Sequence, residues 1–202
     1  MPLDEVAFYD TGAEFPAIYR ERDRTLPLLA ENGTKYTELR PQRPFFYDML
    51  AKPVHKRDGS IQRGYGWCGG PARWGTSEKT RALDRYAKDM EATVYVGIAA
   101  DETRRIGRDR GEWKRLPLVE WGMTEADCLE LCYERGHEWR EGGVRLYDVL
   151  DRVSCWCCRN KNLRELADMR DYLPDYYARL VALEEAIGEP MKKGKALAER
   201  GQ

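Results

Sequence analysis

The sequence predicts an α/β fold, a mostly parallel sheet with flanking helices and further helices at its C-terminal end. Three observations lead there. Residues 5–9, EVAFY, and 94–100, VYVGIAA, are apolar runs without clear polar alternation, the pattern of strands covered on both faces. Each run stops at an acidic turn, Asp10-Thr11-Gly12 in one case and Asp101-Glu102 in the other. Helical spacing of apolar residues fills much of the remaining chain, so strand and helix alternate.

The elements follow in order. Residues 35–39 and 116–119 are weaker strand candidates. Ser77 caps a helix reaching about Met90, with Leu83, Tyr86, Ala87 and Met90 on one face. Thr124 opens another through a capping box in which Asp127 replaces the usual Glu or Gln, and Gly136 stops it. Leu163, Leu166, Ala167 and Met169 mark a third. Pro174 starts a fourth, whose Leu180, Val181, Leu183 and Ile187 lead to Gly188. Residues 1–188 then form one α/β domain, 152–188 holding a cysteine cluster and the last helices, and 189–202 read as a polar tail. Residues 52–76, rich in Gly, Lys and Arg and without periodicity, read as a long functional loop. Carboxyl ends of parallel strands border the ligand crevice of open sheets, so the two acidic turns are expected to face one site.

Charge and cysteine usage narrow the function. Lys and Arg number 34 against 35 Asp and Glu, so no net basic field points to nucleic acid, and such binding would need a local groove. No apolar run approaches the roughly 18 residues of a membrane span, and the first residues lack a basic n-region, so no membrane partner and a cytoplasmic location are expected. Cys155, Cys157 and Cys158 fall within four residues of sequence, a crowding that suits metal, cluster or thiol chemistry better than disulfides. Cys155 and Cys158 form a Cys-x-x-Cys to which Cys68 is a candidate further ligand; three ligands with an open position, a zinc site or a knot of buried thiols all fit this spacing. Cys128 and Cys132, four apart on one helix, read as core. His55 and His137 have no triad-like neighbours and read as surface residues.

Five segments, DTGAEFP (10–16), GYGWCGGPARWGTSEK (64–79), VGIAADETRR (96–105), PLVEWGMTEADCLELC (117–132) and RVSCWCCRNKNLREL (152–166), together resemble the phosphoadenosine-phosphosulfate (PAPS) reductase-like family. The likeness runs over residues 3–187. It implies an adenine-nucleotide α-hydrolase-like fold binding ATP or PAPS, with sulfur transfer or substrate adenylation as the chemistry. By the same resemblance Asp10, Thr11 and Gly12 contact the adenosine portion, and Asp101, Glu102 and Arg104 form an acidic-x-Arg element beside the nucleotide. Arg73 and Lys79 are cationic candidates for its anionic part. Cys68 with Cys155, Cys157 and Cys158 resembles the split ligand set of a 4Fe-4S cluster, although Ala72 and Gly75 stand where relatives often carry another cysteine. The family's phosphate loop, of the form SGGKDS, has no counterpart in these residues, nor has its first strand; a longer product with Met1 as an internal methionine is therefore expected, N-terminally truncated here. The absence of Cys and His from 189–202 argues against the thiol attack made by the family's reductases. The alternatives are a non-catalytic nucleotide- or metal-binding accessory module, working with a protein partner or as a homodimer, and a partner in nucleic-acid modification (thiolation or phosphorothioation) or defence.

Overall fold

The computed structural model describes residues 2–108 and 111–201. The chain divides into two compact units, residues 1–81 with 139–202 and residues 82–138. The first contains β1 (Glu5–Tyr9), α1 (Pro16–Glu31), β2 (Lys35–Leu39), α2 (Phe45–Leu50), β3 (Pro53–His55), β4 (Ile61–Arg63) and the start of α3 (Trp74–Asp89). In the second unit α3 ends and is followed by β5 (Val94–Tyr95), α4 (Thr103–Ile106), β6 (Lys114–Arg115), α5 (Pro117–Glu120) and α6 (Glu125–Glu134). The chain then returns to the first unit with β7 (Arg140–Glu141), β8 (Val144–Arg145), α7 (Leu146–Val149), α8 (Leu163–Tyr172), α9 (Pro174–Ile187) and a 3-10 turn, Leu197–Gly201.

The fold is mixed α/β, and among the described residues the strands form two-stranded pairs. β1 and β2 are parallel, in register from Glu5 opposite Lys35 to Tyr9 opposite Leu39, with α1 as their crossover. β5 and β6 are also parallel, but of the run 94–100 only Val94 and Tyr95 enter the ladder. The strand expected at 116–119 is instead α5, because Pro117 occupies the first helical position. Thr124 and Asp127 do form the capping box of α6, and Gly188 closes α9 in the left-handed conformation, φ 75°. Helix α1 has little sequence signature: Ala17 is its only buried residue, and Pro27 lies inside it. Residues 52–76 contain the hairpin β3–β4, so the expected loop is partly ordered ladder. Among the described residues no helix is long and apolar enough to cross a membrane.

The core of the first unit gathers Phe15, Met49, Trp67, Leu146, Met169 and Leu180, all at most 2% exposed. The segment read as a polar tail belongs to it, since Met191 and Leu197 are fully buried. Burying that segment desolvates backbone amides, which then need acceptors. Glu184 of α9 supplies them: its carboxylate accepts the N–H of Met191 at 3.0 Å and of Leu197 at 2.8 Å. Two other buried carboxylates work similarly. Glu141 accepts the Ala17 N–H at 2.5 Å and the Tyr176 hydroxyl at 3.1 Å, standing in for the side-chain cap that Phe15 cannot give α1. Glu165 accepts from Asn162 at 2.7 Å and Asp151 at 3.1 Å, completing the capping box of α8.

Glu184→Ala would leave two buried N–H groups without acceptors and is expected to cost about 2–4 kcal/mol. Urea denaturation should show that loss and limited proteolysis should cut the 189–201 segment first, while Glu184→Gln, keeping one acceptor oxygen, loses less. Unchanged stability in Glu184→Ala contradicts the tether.

Candidate functional site

The carboxyl end of β1 opens into an Asx turn. Asp10, 9% exposed, accepts the Gly12 N–H at 2.8 Å and the Tyr19 hydroxyl at 2.6 Å through the same oxygen. Gly12 adopts φ 73°, which its lack of a Cβ permits. Thr11 accepts from the Ala13 N–H at 3.2 Å and donates to Glu14 at 3.3 Å. Asp10 therefore shapes the turn, while the Thr11 hydroxyl and the exposed Gly12 backbone are the groups a ligand can approach.

Beside this turn lies a cleft lined by Tyr9, Thr11, Arg43, Asp48, Trp74 and Glu78 among others, with a cavity volume of about 10 Å³. That is room for about one water molecule. The buried Trp74 indole N–H has no acceptor among the described residues, so this cleft wall offers an unused donor. Burial and the neighbouring Glu78 carboxylate push the Tyr9 phenol up to about 12, keeping it a donor at neutral pH. Gly75 lets α3 approach: a Cβ there would come within 2.9 Å of the Phe45 ring and 3.2 Å of the Cys68 sulfur.

Two backbone hydrogen bonds bring the cysteine segment to the same place. The Trp156 N–H donates to the Ala13 carbonyl at 3.0 Å, and the Arg159 N–H donates to the Cys68 carbonyl at 3.3 Å. Within the segment the Cys158 N–H donates to the Cys155 carbonyl at 3.1 Å. The hydrogen bond with Cys157 and burial push the Cys155 thiol up against an opposing effect of Cys158, and Cys158 is raised by Cys155 and by burial. The Cys155 and Cys158 thiols are therefore protonated at neutral pH and weakly nucleophilic. Cys68 and Cys157 are buried in the adjoining core.

Glu14 and Lys161 escaped the sequence reading. Lys161, only 3% exposed, donates to the Cys155 carbonyl at 3.4 Å and stands 5.5 Å from the Phe15 ring centroid. Burial raises the Glu14 carboxyl above its ordinary range, opposed by Lys79, Thr11 and Lys161. A buried lysine among Asn and Arg neighbours carries no periodic signal; only the position of Glu14 just after the Asp-Thr-Gly turn could have flagged it.

The first unit thus joins Asp10, Thr11 and Gly12 to Lys79, Cys68, Cys155, Cys157 and Cys158. Arg73 is exposed and donates to the Gly70 carbonyl at 3.2 Å. Asp101, Glu102 and Arg104 belong to the second unit. There Asp101 accepts the Glu125 N–H at 3.1 Å, Glu102 accepts from the Ala99 N–H at 3.2 Å and pairs with Arg105 at 2.5 Å, and Arg104 is exposed. Cys128, with its thiol raised by burial and by Cys132, also lies in that unit.

The thiol donors fit a thiophilic centre such as zinc or an iron–sulfur cluster in chemistry. Among the described residues no three His, Cys, Asp or Glu are already spaced to hold a metal ion, so loading requires the thiols to lose their protons and close in.

Because burial disfavours the charged form of Glu14, its folded-state proton affinity exceeds that of the unfolded chain, and its contribution to stability falls as pH rises above the ordinary carboxyl range. Glu14→Gln should therefore gain thermal stability relative to the wild type as pH is raised from about 5 to about 8. Melting curves across that range test it, and a gap that shrinks with pH contradicts it. Compared with known proteins, the chain matches no family model, no curated protein and no solved structure.

Proposed function

We propose that this chain is a PAPS reductase-like protein that binds an adenine nucleotide, ATP or PAPS, and carries a thiol-ligated metal centre beside it. The observation that carries the reading is the convergence of the Asp10–Gly12 turn, the start of α3 and the cysteine segment at the carboxyl end of β1. In an α/β sheet that end is where ligands bind. On this reading β1, α1 and β2 are part of an adenine-nucleotide α-hydrolase-like sheet. The Thr11 hydroxyl and Gly12 backbone meet the nucleoside, the Trp74 N–H gives it a buried donor, and Lys79 answers its negative charge. Cys155 and Cys158, with Cys157 and Cys68, hold zinc or an iron–sulfur cluster, which would supply Lewis-acid or redox chemistry. Sulfur transfer or adenylation is the reaction class.

A water-sized cleft favours a second reading, an accessory module that holds the metal and docks to a partner without turnover. A nucleoside would have to lie over the turn or displace residues 41–43 and 74–78.

Calorimetric titration of ATP and of PAPS into anaerobically purified protein separates the readings. The first predicts saturable binding that Lys79→Ala weakens roughly tenfold or more, the worth of a charge-assisted hydrogen bond. No binding of either nucleotide overturns it. Iron, zinc and acid-labile sulfide analysis should find metal that Cys155→Ala with Cys158→Ala removes, and equal metal content in that variant refutes the centre.

A further inference from the structure

The net charge near zero conceals a local excess. Residues 52–65 carry Lys52, Lys56, Arg57 and Arg63 against the single carboxylate of Asp58. This segment is the β3–β4 hairpin, in which Pro53 pairs with Arg63, Val54 with Gln62 and His55 with Ile61. Paired residues share a face, so Val54 and Gln62 make one face, which is half-buried. His55, Ile61 and Arg63 make the other, which is exposed, and Lys56 and Arg57 stand at the exposed tip. Asp58 is turned inward to its own loop, accepting the Ser60 N–H at 2.9 Å and the Ser60 hydroxyl at 2.7 Å. Neither Arg57 nor Arg63 has an ion-pair partner among the described residues.

The ribbon is also fixed at its base. Gly64 donates to the Lys52 carbonyl at 2.7 Å, Tyr65 to Asp48 at 2.9 Å and Gly66 to Met49 at 3.0 Å, tying the end of β4 to α2. Gly64 has φ 69°, and a Cβ there would sit 2.1 Å from the Met49 carbonyl oxygen, so this close approach requires glycine. Lys52 lies over the Tyr65 ring at 4.5 Å and donates to its hydroxyl at 2.8 Å. These bonds fix the backbone at the base of the ribbon against α2.

We propose that the β3–β4 hairpin is a binding ribbon for B-form duplex DNA, a site separate from the nucleotide and cysteine residues. Lys52 is paired with Asp48 at 3.8 Å and Lys56 stands near Asp58, which leaves Arg63 on the exposed face and Arg57 at the tip as the cations free to complement a phosphodiester backbone. The major groove of B-form DNA admits a two-stranded ribbon, whereas that of an A-form duplex is too narrow. Ile61, 64% exposed on the same face as Arg63, supplies the apolar contact that thymine methyl groups accept. One large apolar side chain is too little for insertion into a bilayer.

Fluorescence anisotropy with a labelled mixed-sequence DNA duplex tests the proposal on the full chain. Affinity should fall with salt on a log–log slope of roughly −2 to −4, as expected for a few phosphate contacts. The triple variant Lys56→Ala, Arg57→Ala, Arg63→Ala should bind at least tenfold more weakly with a shallower slope, while its melting temperature and nucleotide binding stay unchanged. If that variant does not fold, Arg57→Glu, at the exposed tip, is expected to lower affinity in the same direction. No binding at low salt, wild-type affinity in the variants, or equal binding of duplex RNA or of phosphatidylserine vesicles overturns the proposal. Nucleotide titration of the same preparations reads the other site independently.

Discussion

The candidate site depends on two backbone hydrogen bonds, from Trp156 to Ala13 and from Arg159 to Cys68. With the Gly70 N–H bonded to the Asn160 side chain at 2.8 Å and the shared core of Ala13, Cys68 and Cys157, they hold the turn after β1 and the glycine-rich segment before α3 against the cysteine segment. Backbone groups have fixed positions relative to the chain, so these bonds set the register between segments as well as their proximity. Within the cysteine segment, local turn bonds from Cys158 to Cys155 and from Lys161 to Cys158 set Cys155 beside Cys158 and bring Lys161 within reach of the Cys155 carbonyl.

Hydrogen bonding among the thiols and desolvation then decide the chemistry of the groups brought together. The Cys155 and Cys158 thiols are held protonated, and the Glu14 carboxyl is raised above its usual range with Lys79 and Lys161 opposing that shift. Elsewhere in the same unit, buried carboxylates are satisfied by backbone donors: Glu184 holds the last segment, Glu141 the start of α1 and Glu165 the start of α8. Structural carboxylates thus have their oxygens occupied by N–H groups. Glu14 differs in accepting from the Thr11 side chain beside two lysines, next to the open turn.

Local signals were readable where local physics sufficed. The apolar run 5–9 located β1, the weaker candidate at 35–39 fell on β2, the Thr124–Asp127 pair marked the start of α6, and Pro174 with Gly188 bracketed α9. The rest depended on partners distant in sequence. α1 is capped by Glu141, a residue over a hundred positions away, and its own surface is mostly polar. The segment after Gly188 looks like a tail until Glu184 and Tyr177 are seen to hold Leu197. Val96–Ala100 carries the apolar character of a strand yet makes no ladder, so composition alone overestimated β5. In the site, the cysteines and the Asp10–Gly12 turn stood out by residue type and spacing, whereas Lys161 acquires meaning only through its burial.

The central claim is that the turn after β1 and the Cys155–Cys158 segment form one site. Its most direct test is mass-spectrometric alkylation footprinting of the metal-free protein with and without saturating ATP or PAPS. The account predicts that nucleotide slows modification of Cys155 and Cys158 and leaves Cys128 and Cys132 unaffected. Identical alkylation rates at Cys155 and Cys158 with bound nucleotide would contradict it.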